Sequence, residues 1–163
     1  DNIKQRIRSG FVLENFKGNR KSWYFSNVIF AIEYFKTFDV FCMLSSNTRR
    51  ILAAKMALLC SNLSNAYYSM KVGSKFTVNP DGTSPFEGPP FSFAREFQAI
   101  TMLITTLRIM DLDENEYVLV KALMVLSPSL EDASENERAL ISKQSESYAK
   151  ALFSYVIARR GRE

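Results

Sequence analysis

Apolar residues recur at helical spacing along most of the chain, and the pattern changes from one segment to the next. Residues 1 to 18 are mixed polar and basic, which predicts an irregular lead-in or a short helix. Residues from about 20 to 38, and again from about 48 to 70, are apolar on most faces of a helix. Such a helix belongs in the middle of a structure, so we expect both to be central. Helical periodicity returns from about residue 93 to 110.

Two polar pairs mark the starts of the last helices. Asp113 followed by Glu116, and Ser134 followed by Glu137, have the spacing of capping boxes. In such a box each side chain satisfies a free backbone N–H group of the first turn. The expected helices cover residues 113 to 126 and 134 to about 159. The last of them ends among cations that suit the negative end of a helix dipole: Arg159, Arg160 and Arg162.

The segment after residue 70 breaks the helical pattern. Residues 75 to 78 and 83 to 86 have the composition of two short strands, separated by a turn over residues 79 to 82. Pro80 presets the first central position of this turn and Gly82 closes it. Since no internal repeat is present, the predicted fold is all-α with one small β-hairpin.

Composition is that of a single globular domain. The chain has 163 residues, of which 47% are apolar and 23% are charged, with a net charge of +4. Thirteen Phe and seven Tyr predict a thick core or a roomy apolar pocket. Basic residues form no long run, which argues against nucleic-acid binding by this segment. No window reaches the roughly 18 continuous apolar residues of a membrane span, so no membrane partner is expected.

Candidate catalytic chemistry is sparse. The chain contains no histidine, which excludes Ser-His-Asp and Cys-His nucleophile systems. The acidic clusters are explained by helix capping and solvated turns, without metal-loop spacing. Cys42 and Cys60 are expected to be two reduced core thiols, with a disulfide as the alternative in an exported domain. The chain is therefore predicted to be no enzyme and to hold neither a metal nor another cofactor.

One stretch carries a family resemblance. Residues 31 to 54, AIEYFKTFDVFCMLSSNTRRILAA, combine an aromatic-rich helix ending in Lys36 with Phe41 and Leu44 three positions apart. A polar turn and a second apolar run follow. This order resembles the signature of nuclear-receptor ligand-binding domains, in which a helix bearing a lysine precedes F-x-x-L-x-x-x-D-Q-x-x-L-L.

Further segments support that resemblance. Residues 111 to 128, DLDENEYVLVKALMVLSP, are similar to the block of the seventh and eighth helices of the family, and residues 134 to 160 to its ninth helix. The sequence NPDGTSP at residues 79 to 85 resembles the corresponding segment in the nematode members of this family. The likeness covers residues from about 20 to 160.

The resemblance implies a partial ligand-binding domain over residues 1 to 163, from about helix 3 to helix 9 of the family. Its fold is a three-layer antiparallel helical sandwich with residues 48 to 70 as the central layer. The zinc-containing DNA-binding domain and the last helices, including the activation helix, are expected to lie outside this chain.

The implied function is that of a regulatory module in a nuclear, ligand-regulated transcription factor. It would bind a small apolar molecule, such as a fatty acid or a sterol, and relay its occupancy to coregulators. DNA would be contacted only through the domain absent here, and a dimer would form in the full-length protein. The alternative is the same fold with a filled pocket, which would act as a ligand-independent dimerisation or corepressor module.

The resemblance also implies a ligand pocket. Polar side chains on the central helix would orient a ligand between apolar walls. Alternatively, the side-chain amides of Asn62 and Asn65 bond to backbone carbonyls, and aromatic side chains fill the space. The implied ligand-binding residues are Trp23, Asn27, Leu58, Ser61, Asn62, Asn65, Tyr68, Phe97 and Thr101.

A coregulator groove is the second implied site, and it is formed by Ile32, Lys36, Arg50 and Ala53. Lys36 aligns with the lysine that binds the free carbonyls at the end of a docked Leu-x-x-Leu-Leu helix; alternatively it is a solvated side chain. Arg50 stands where the groove is usually apolar, so the groove is atypical. Other departures fall on Ser46, Thr48 and Arg49, the last two replacing the D-Q pair.

Overall fold

The computed structural model describes residues 20–80, 82, 94–126, 130 and 133–161, with the side chains of residues 20–24, 94–97 and 100 outside that description. Within this part of the chain there are six helices. They are α1 (Arg20–Phe35), α2 (Asp39–Met43), α3 (Ser46–Lys71), α4 (Ala94–Ile109), α5 (Glu114–Val125) and α6 (Glu135–Arg160). The predicted all-α class is confirmed, whereas the lead-in expected over residues 1 to 18 lies outside the described residues.

The long α3 helix lies at the centre of the molecule. It contacts α1, α4 and α5, while α6 packs against α5 and reaches α2. The helix begins two residues earlier than the apolar pattern indicates, because the Ser45 hydroxyl caps it and accepts the backbone N–H of Thr48 at 3.2 Å. The expected central layer is therefore confirmed.

The first predicted helix ends at Phe35 instead of residue 38. Thr37 and Phe38 donate their backbone N–H groups to Tyr34 and Phe35, at 3.0 and 3.1 Å. Such bonds to the third residue back tighten the last turn and stop the helix. Phe38 is nevertheless buried, so the apolar pattern correctly marked a core residue beyond the end of the helix.

Two groups of buried side chains form the core, and α3 contributes to both. The half-buried Met124 packs against both groups, which joins them through α5. The first core cluster consists of Ala31, Phe35, Phe38, Val40, Phe41, Leu44, Leu52, Ala57, Cys60, Ala122, Val125, Leu126, Leu130, Ala133 and Ile141. The second core cluster consists of Leu63, Ala66, Tyr67, Ile104, Leu107 and Leu112.

The β-hairpin is unconfirmed. Residues 75–78 form no strand, and the second predicted strand, residues 83–86, lies outside the described residues. The backbone N–H of Val78 donates to the Ser69 hydroxyl on α3 at 3.0 Å. The turn itself is present, because the Gly82 N–H donates to the Asn79 carbonyl at 2.9 Å and Gly82 has a φ of 84°.

Both cysteines are free thiols, but they differ in burial. Cys60 lies in the first core cluster as expected, whereas Cys42 is exposed. The prediction of two core thiols is therefore wrong for Cys42. The apolar neighbours of Cys42 in sequence hide this, because α2 is a short helix that buries Val40 and Phe41 and turns its other positions outward.

The start of α6 is fixed to the start of α3 through Glu137. Its carboxylate accepts the backbone N–H of Ser45 at 2.7 Å, the Thr48 hydroxyl at 3.1 Å, and both the N–H and the hydroxyl of Ser134. The predicted capping box is confirmed. The bond from the Ser45 backbone is the main reason that the pKa of Glu137 falls to about 2, since donors stabilise the charged carboxylate.

The end of α6 is fixed to the start of α5. Arg159 and Arg160 both bind the buried carboxylate of Glu116, at 2.9 and 3.0 Å, and Arg159 also binds Asp111 and Asp113. The capping box of Asp113 and Glu116 is confirmed. The assignment of these arginines to the helix dipole is therefore incomplete, because their main partners are carboxylates of another helix.

No helix within the described part of the chain is both long and apolar enough to cross a membrane.

Candidate functional site

A cavity of about 190 Å³ lies between α1, α3 and α5. The described part of its lining combines aromatic and aliphatic surface with hydroxyl, amide and ammonium groups and contains no carboxylate. Within the described residues, no group of histidine, cysteine or acidic side chains could hold a metal ion. The cavity is lined by Asn27, Phe30, Ala31, Ser61, Ser64, Tyr117 and Lys121.

Serine hydroxyls of α3 form one side of the cavity. Ser61 Oγ lies 2.7 Å from the Ala57 carbonyl and 3.0 Å from the Asn27 carbonyl, which joins α1 to α3. Ser64 Oγ donates to the Cys60 carbonyl at 2.8 Å. Hydroxyls that bond to a carbonyl four residues back satisfy themselves within their own helix. Both serines therefore face the cavity mainly with acceptor lone pairs.

An amide pair closes the α1–α3 side. The side-chain amide of Asn27 donates to Asn65 Oδ1 at 3.3 Å. Each asparagine amide has two N–H donors and an acceptor oxygen, so this one bond leaves further capacity on both. The amides of Asn27 and Asn65 thus pair with each other across two helices.

Tyr117 forms the α5 side of the cavity. Its hydroxyl donates to Ser64 Oγ at 3.1 Å. Its ring stacks on Tyr67 with the centroids 3.9 Å apart and the planes nearly parallel. The Tyr67 hydroxyl is buried and has no hydrogen-bond partner within the described residues. Burial is the main reason that the pKa of Tyr67 is raised.

Lys121 supplies the only charge on the described lining. Its ammonium lies 4.4 Å from the centroid of the Tyr34 ring and 5.6 Å from that of Tyr117. Electron-rich ring faces attract such a cation. Burial raises the pKa of Cys60, and the Lys121 charge opposes part of that rise. Lys121 is half-buried, and its ammonium lies beside two aromatic rings.

The predicted ligand-binding residues separate into groups. Asn27 and Ser61 line the cavity, and Asn65 bonds to Asn27. Leu58 and Tyr68 are 41% and 36% exposed and do not line it. Three of the nine are thus brought together at one place, and two face outward.

The remaining four predicted residues are not joined to this cavity by the described contacts. Asn62 and Thr101 are half-buried on α3 and α4 and are absent from the lining. The side chains of Trp23 and Phe97 lie outside the described residues. Of the predicted ligand-binding residues whose side chains are described, only Asn27 and Ser61 line the cavity.

Sequence reasoning missed the contribution of α5. Tyr117 and Lys121 of α5 line the cavity, although residues 111 to 128 served only to support the resemblance. Ser64 of α3 also lines it and was not predicted. A lysine in an apolar run, as in VLVKALM, is the one available signal. That signal predicts a half-buried ammonium, but it cannot indicate which rings lie beside it.

The four predicted groove residues lie on α1 and α3 or just after α1. Ile32 and Ala53 are half-buried against the first core cluster. Lys36 and Arg50 are exposed, and each has a local partner: Lys36 Nζ lies 2.6 Å from Glu33 Oε1, and Arg50 donates to Asn47 Oδ1 at 3.1 Å. The apolar members are thus half-buried and the cationic members exposed, and the groove itself stays a prediction.

A family model and individual relatives both match this chain to the same protein family. A family model described as the ligand-binding domain of nuclear hormone receptor matches residues 20–163. Three Caenorhabditis elegans proteins are similar: nuclear hormone receptor family member nhr-60 is 32% identical over 87% of this chain, nhr-153 is 30% identical over 89%, and nhr-209 is 31% identical over 83%. The chain spans about a third of these relatives, namely 31%, 36% and 34% of their lengths.

Proposed function

Because the chain belongs to the nuclear hormone receptor ligand-binding domain family, we propose that it is the regulatory module of a ligand-regulated transcription factor. In this proposal it binds a small lipophilic molecule and relays its occupancy to coregulators. The complete protein acts in the nucleus and contacts DNA through a domain other than this one. No catalytic step is needed for such a role.

The cavity between α1, α3 and α5 is the observation that carries the ligand part of the proposal. It joins three helices, and polar groups of α1 and α3 converge on it through Ser61 and Asn27. A ligand held there contacts elements on both sides of the central helix. Occupancy can change the balance between two arrangements of the domain only if the ligand binds one of them better.

The α1–α3 surface supports the coregulator part. Ile32 and Ala53 offer apolar surface, and Lys36 offers an exposed ammonium. The Lys36–Glu33 ion pair is solvent-exposed, and such pairs contribute about 0–1 kcal/mol. Lys36 can therefore exchange Glu33 for the carbonyls at the end of a docked helix at small cost. Arg50, at the edge, favours a partner helix that carries acidic residues.

Ligand binding is tested with the cavity-filling variant Ser61→Leu and with Ser154→Leu, an exposed position on α6, as the control. Oleate and cholesterol are added to the full chain, and the thermal unfolding midpoint is measured. We expect at least one of them to stabilise the wild type and Ser154→Leu, but not Ser61→Leu. Stabilisation of all three proteins alike, or of none, would show that the cavity holds no such ligand.

The relay is tested by the affinity of a Leu-x-x-Leu-Leu peptide with and without that ligand. Lys36→Ala should weaken peptide binding severalfold, because the ammonium no longer meets the carbonyls at the peptide's end. Lys71→Ala, at the far end of α3, is the matched control. A peptide that ignores both the ligand and Lys36 would favour the ligand-independent form of the module.

A further inference from the structure

We propose that the cavity between α1, α3 and α5 binds the carboxylate of an organic acid, and that Lys121 of α5 is the residue that pairs with it. This inference rests on the ligand binding proposed above but not on the relay to coregulators. It narrows the ligand from a lipophilic molecule in general to an acid whose head group enters this cavity.

The charge balance of the cavity carries the inference. Lys121 has no hydrogen bond or ion pair to a carboxylate among the described residues, and no acidic side chain lines the cavity. Among the described residues, its charge is offset by the faces of the Tyr34 and Tyr117 rings. The ammonium of this half-buried lysine is better stabilised by a charged acceptor that it can also hydrogen-bond. An anion therefore completes the site, whereas a second cation would be repelled.

The hydrogen-bond donors of the cavity also favour a negatively charged ligand. The hydroxyl hydrogens of Ser61 and Ser64 are directed to backbone carbonyls, and that of Tyr117 to Ser64. Counting only bonds between described residues, the donors that remain are the three N–H groups of Lys121 and the second N–H of the Asn27 amide. A carboxylate has two acceptor oxygens and no donor, so it fits this set. An alcohol fits less well, because its oxygen carries no charge.

The size of the cavity limits what enters it. Its volume of about 190 Å³ is below the roughly 300–1,000 Å³ of pockets that enclose a drug-sized ligand. A carboxylate with its first few carbons fits, and Phe30 and Ala31 provide apolar surface for those carbons. The acid is either a short free acid or the head of a longer fatty acid, and the chain length of the probe distinguishes these two sources.

The experiment measures the affinities of decanoate, decanol and butyrate for the full chain by titration calorimetry. We expect decanoate to bind at least tenfold more tightly than decanol. Lys121→Gln should weaken decanoate at least tenfold and leave decanol unchanged, Lys121→Arg should restore most of the loss, and the exposed Lys143→Gln should match the wild type. Butyrate as tight as decanoate indicates a short acid, and weaker butyrate indicates a fatty acid head.

Equal affinities of decanoate and decanol in the wild type would overturn the inference, as would decanoate binding that Lys121→Gln does not weaken. If decanol binds equally well and Ser61→Leu abolishes both, ligand binding stands while the acid assignment fails. Binding of neither probe would contradict both. Should Lys121→Gln fail to fold, the comparison of decanoate with decanol in the wild type and in Lys121→Arg decides the matter.

Discussion

At the residue scale, the buried side chain of Glu116 both caps a helix and binds two arginines. It is only 1% exposed, it completes the capping box of α5, and its carboxylate binds both Arg159 and Arg160. The two arginines remain 29% and 41% exposed, so water relieves part of their charge when the carboxylate is removed. The cost of losing Glu116 should accordingly lie below that of breaking a fully buried ion pair, which is about 3–5 kcal/mol.

We expect Glu116→Gln to lower the free energy of unfolding by about 1.5–3 kcal/mol, the contribution of hydrogen bonds to a charged group. Urea unfolding measures this difference. Glu114→Gln, in the same first turn but exposed, is the control and should stay within about 0.5 kcal/mol of the wild type. Equal losses in the two variants would show that the network with the arginines contributes nothing.

At the element scale, α6 is held chiefly by its ends. The helix has 26 residues, yet Ile141 is its one buried residue. Glu137 fixes its start to α3, and Arg159 and Arg160 fix its end to α5. Polar contacts at its two ends thus provide much of the attachment to the fold that a buried apolar stripe provides in an ordinary surface helix.

This arrangement predicts a specific pH dependence. The folded pKa of Glu137 is about 2, below its ordinary value of 4.5. Its stabilising effect is therefore complete above about pH 4.5 and is lost as the pH falls towards 2. Near neutral pH, Glu137→Gln should unfold at a lower temperature than the wild type, and the gap should close between pH 4.5 and 2.

Thermal unfolding followed by circular dichroism across this pH range provides the measurement. Glu135→Gln, two residues earlier in the first turn of α6 and exposed, should follow the wild-type profile. Parallel profiles for the wild type and Glu137→Gln would mean that the Glu137 carboxylate does not stabilise the fold in its charged form.

Local signals explain which elements the sequence could predict. The capping boxes of Asp113 and Ser134 depend on four adjacent residues, and both are present as expected. The Ser45 cap is equally local and was missed, since it lacks a glutamate three positions on. Its carboxylate partner, Glu137, comes instead from α6. A box completed from another helix is invisible to sequence spacing.

The candidate site was predictable only in part, for a similar reason. The family resemblance implied Ser61 and Asn65 as pocket residues, and both do meet Asn27. Lys121 and Tyr34 could not be paired in advance, because their approach depends on how α5 packs against α1 and α3. Exposure of Leu58 and Tyr68 likewise depends on which elements cover that face.

At the scale of the whole molecule, the two core clusters are distinct but both are built on α3. Ile141 belongs to the first and Ile104 to the second, and both are fully buried. Met124 packs against both. This arrangement implies that substitutions in the two clusters affect the free energy of unfolding independently, and that Met124 couples them.

We expect Ile141→Val and Ile104→Val each to cost about 0.5–1.5 kcal/mol. Their effects should add within about 0.5 kcal/mol because the two residues belong to separate clusters of the described core. Either variant combined with Met124→Ala should depart from additivity by more than that. Denaturant unfolding of the single and double variants gives these differences, and strong coupling between the two isoleucines would show that the core is one unit.

The Glu137 bridge also bears on the order of folding. It joins residues 92 positions apart, whereas α1 with α3 and α5 with α6 meet close together along the chain. Closing a long loop costs more entropy than closing a short one, so this bridge should form late, after the neighbouring helices have paired. Interactions absent from the transition state slow unfolding without changing the folding rate. Glu137 should therefore determine how long the folded chain persists more than how quickly it forms.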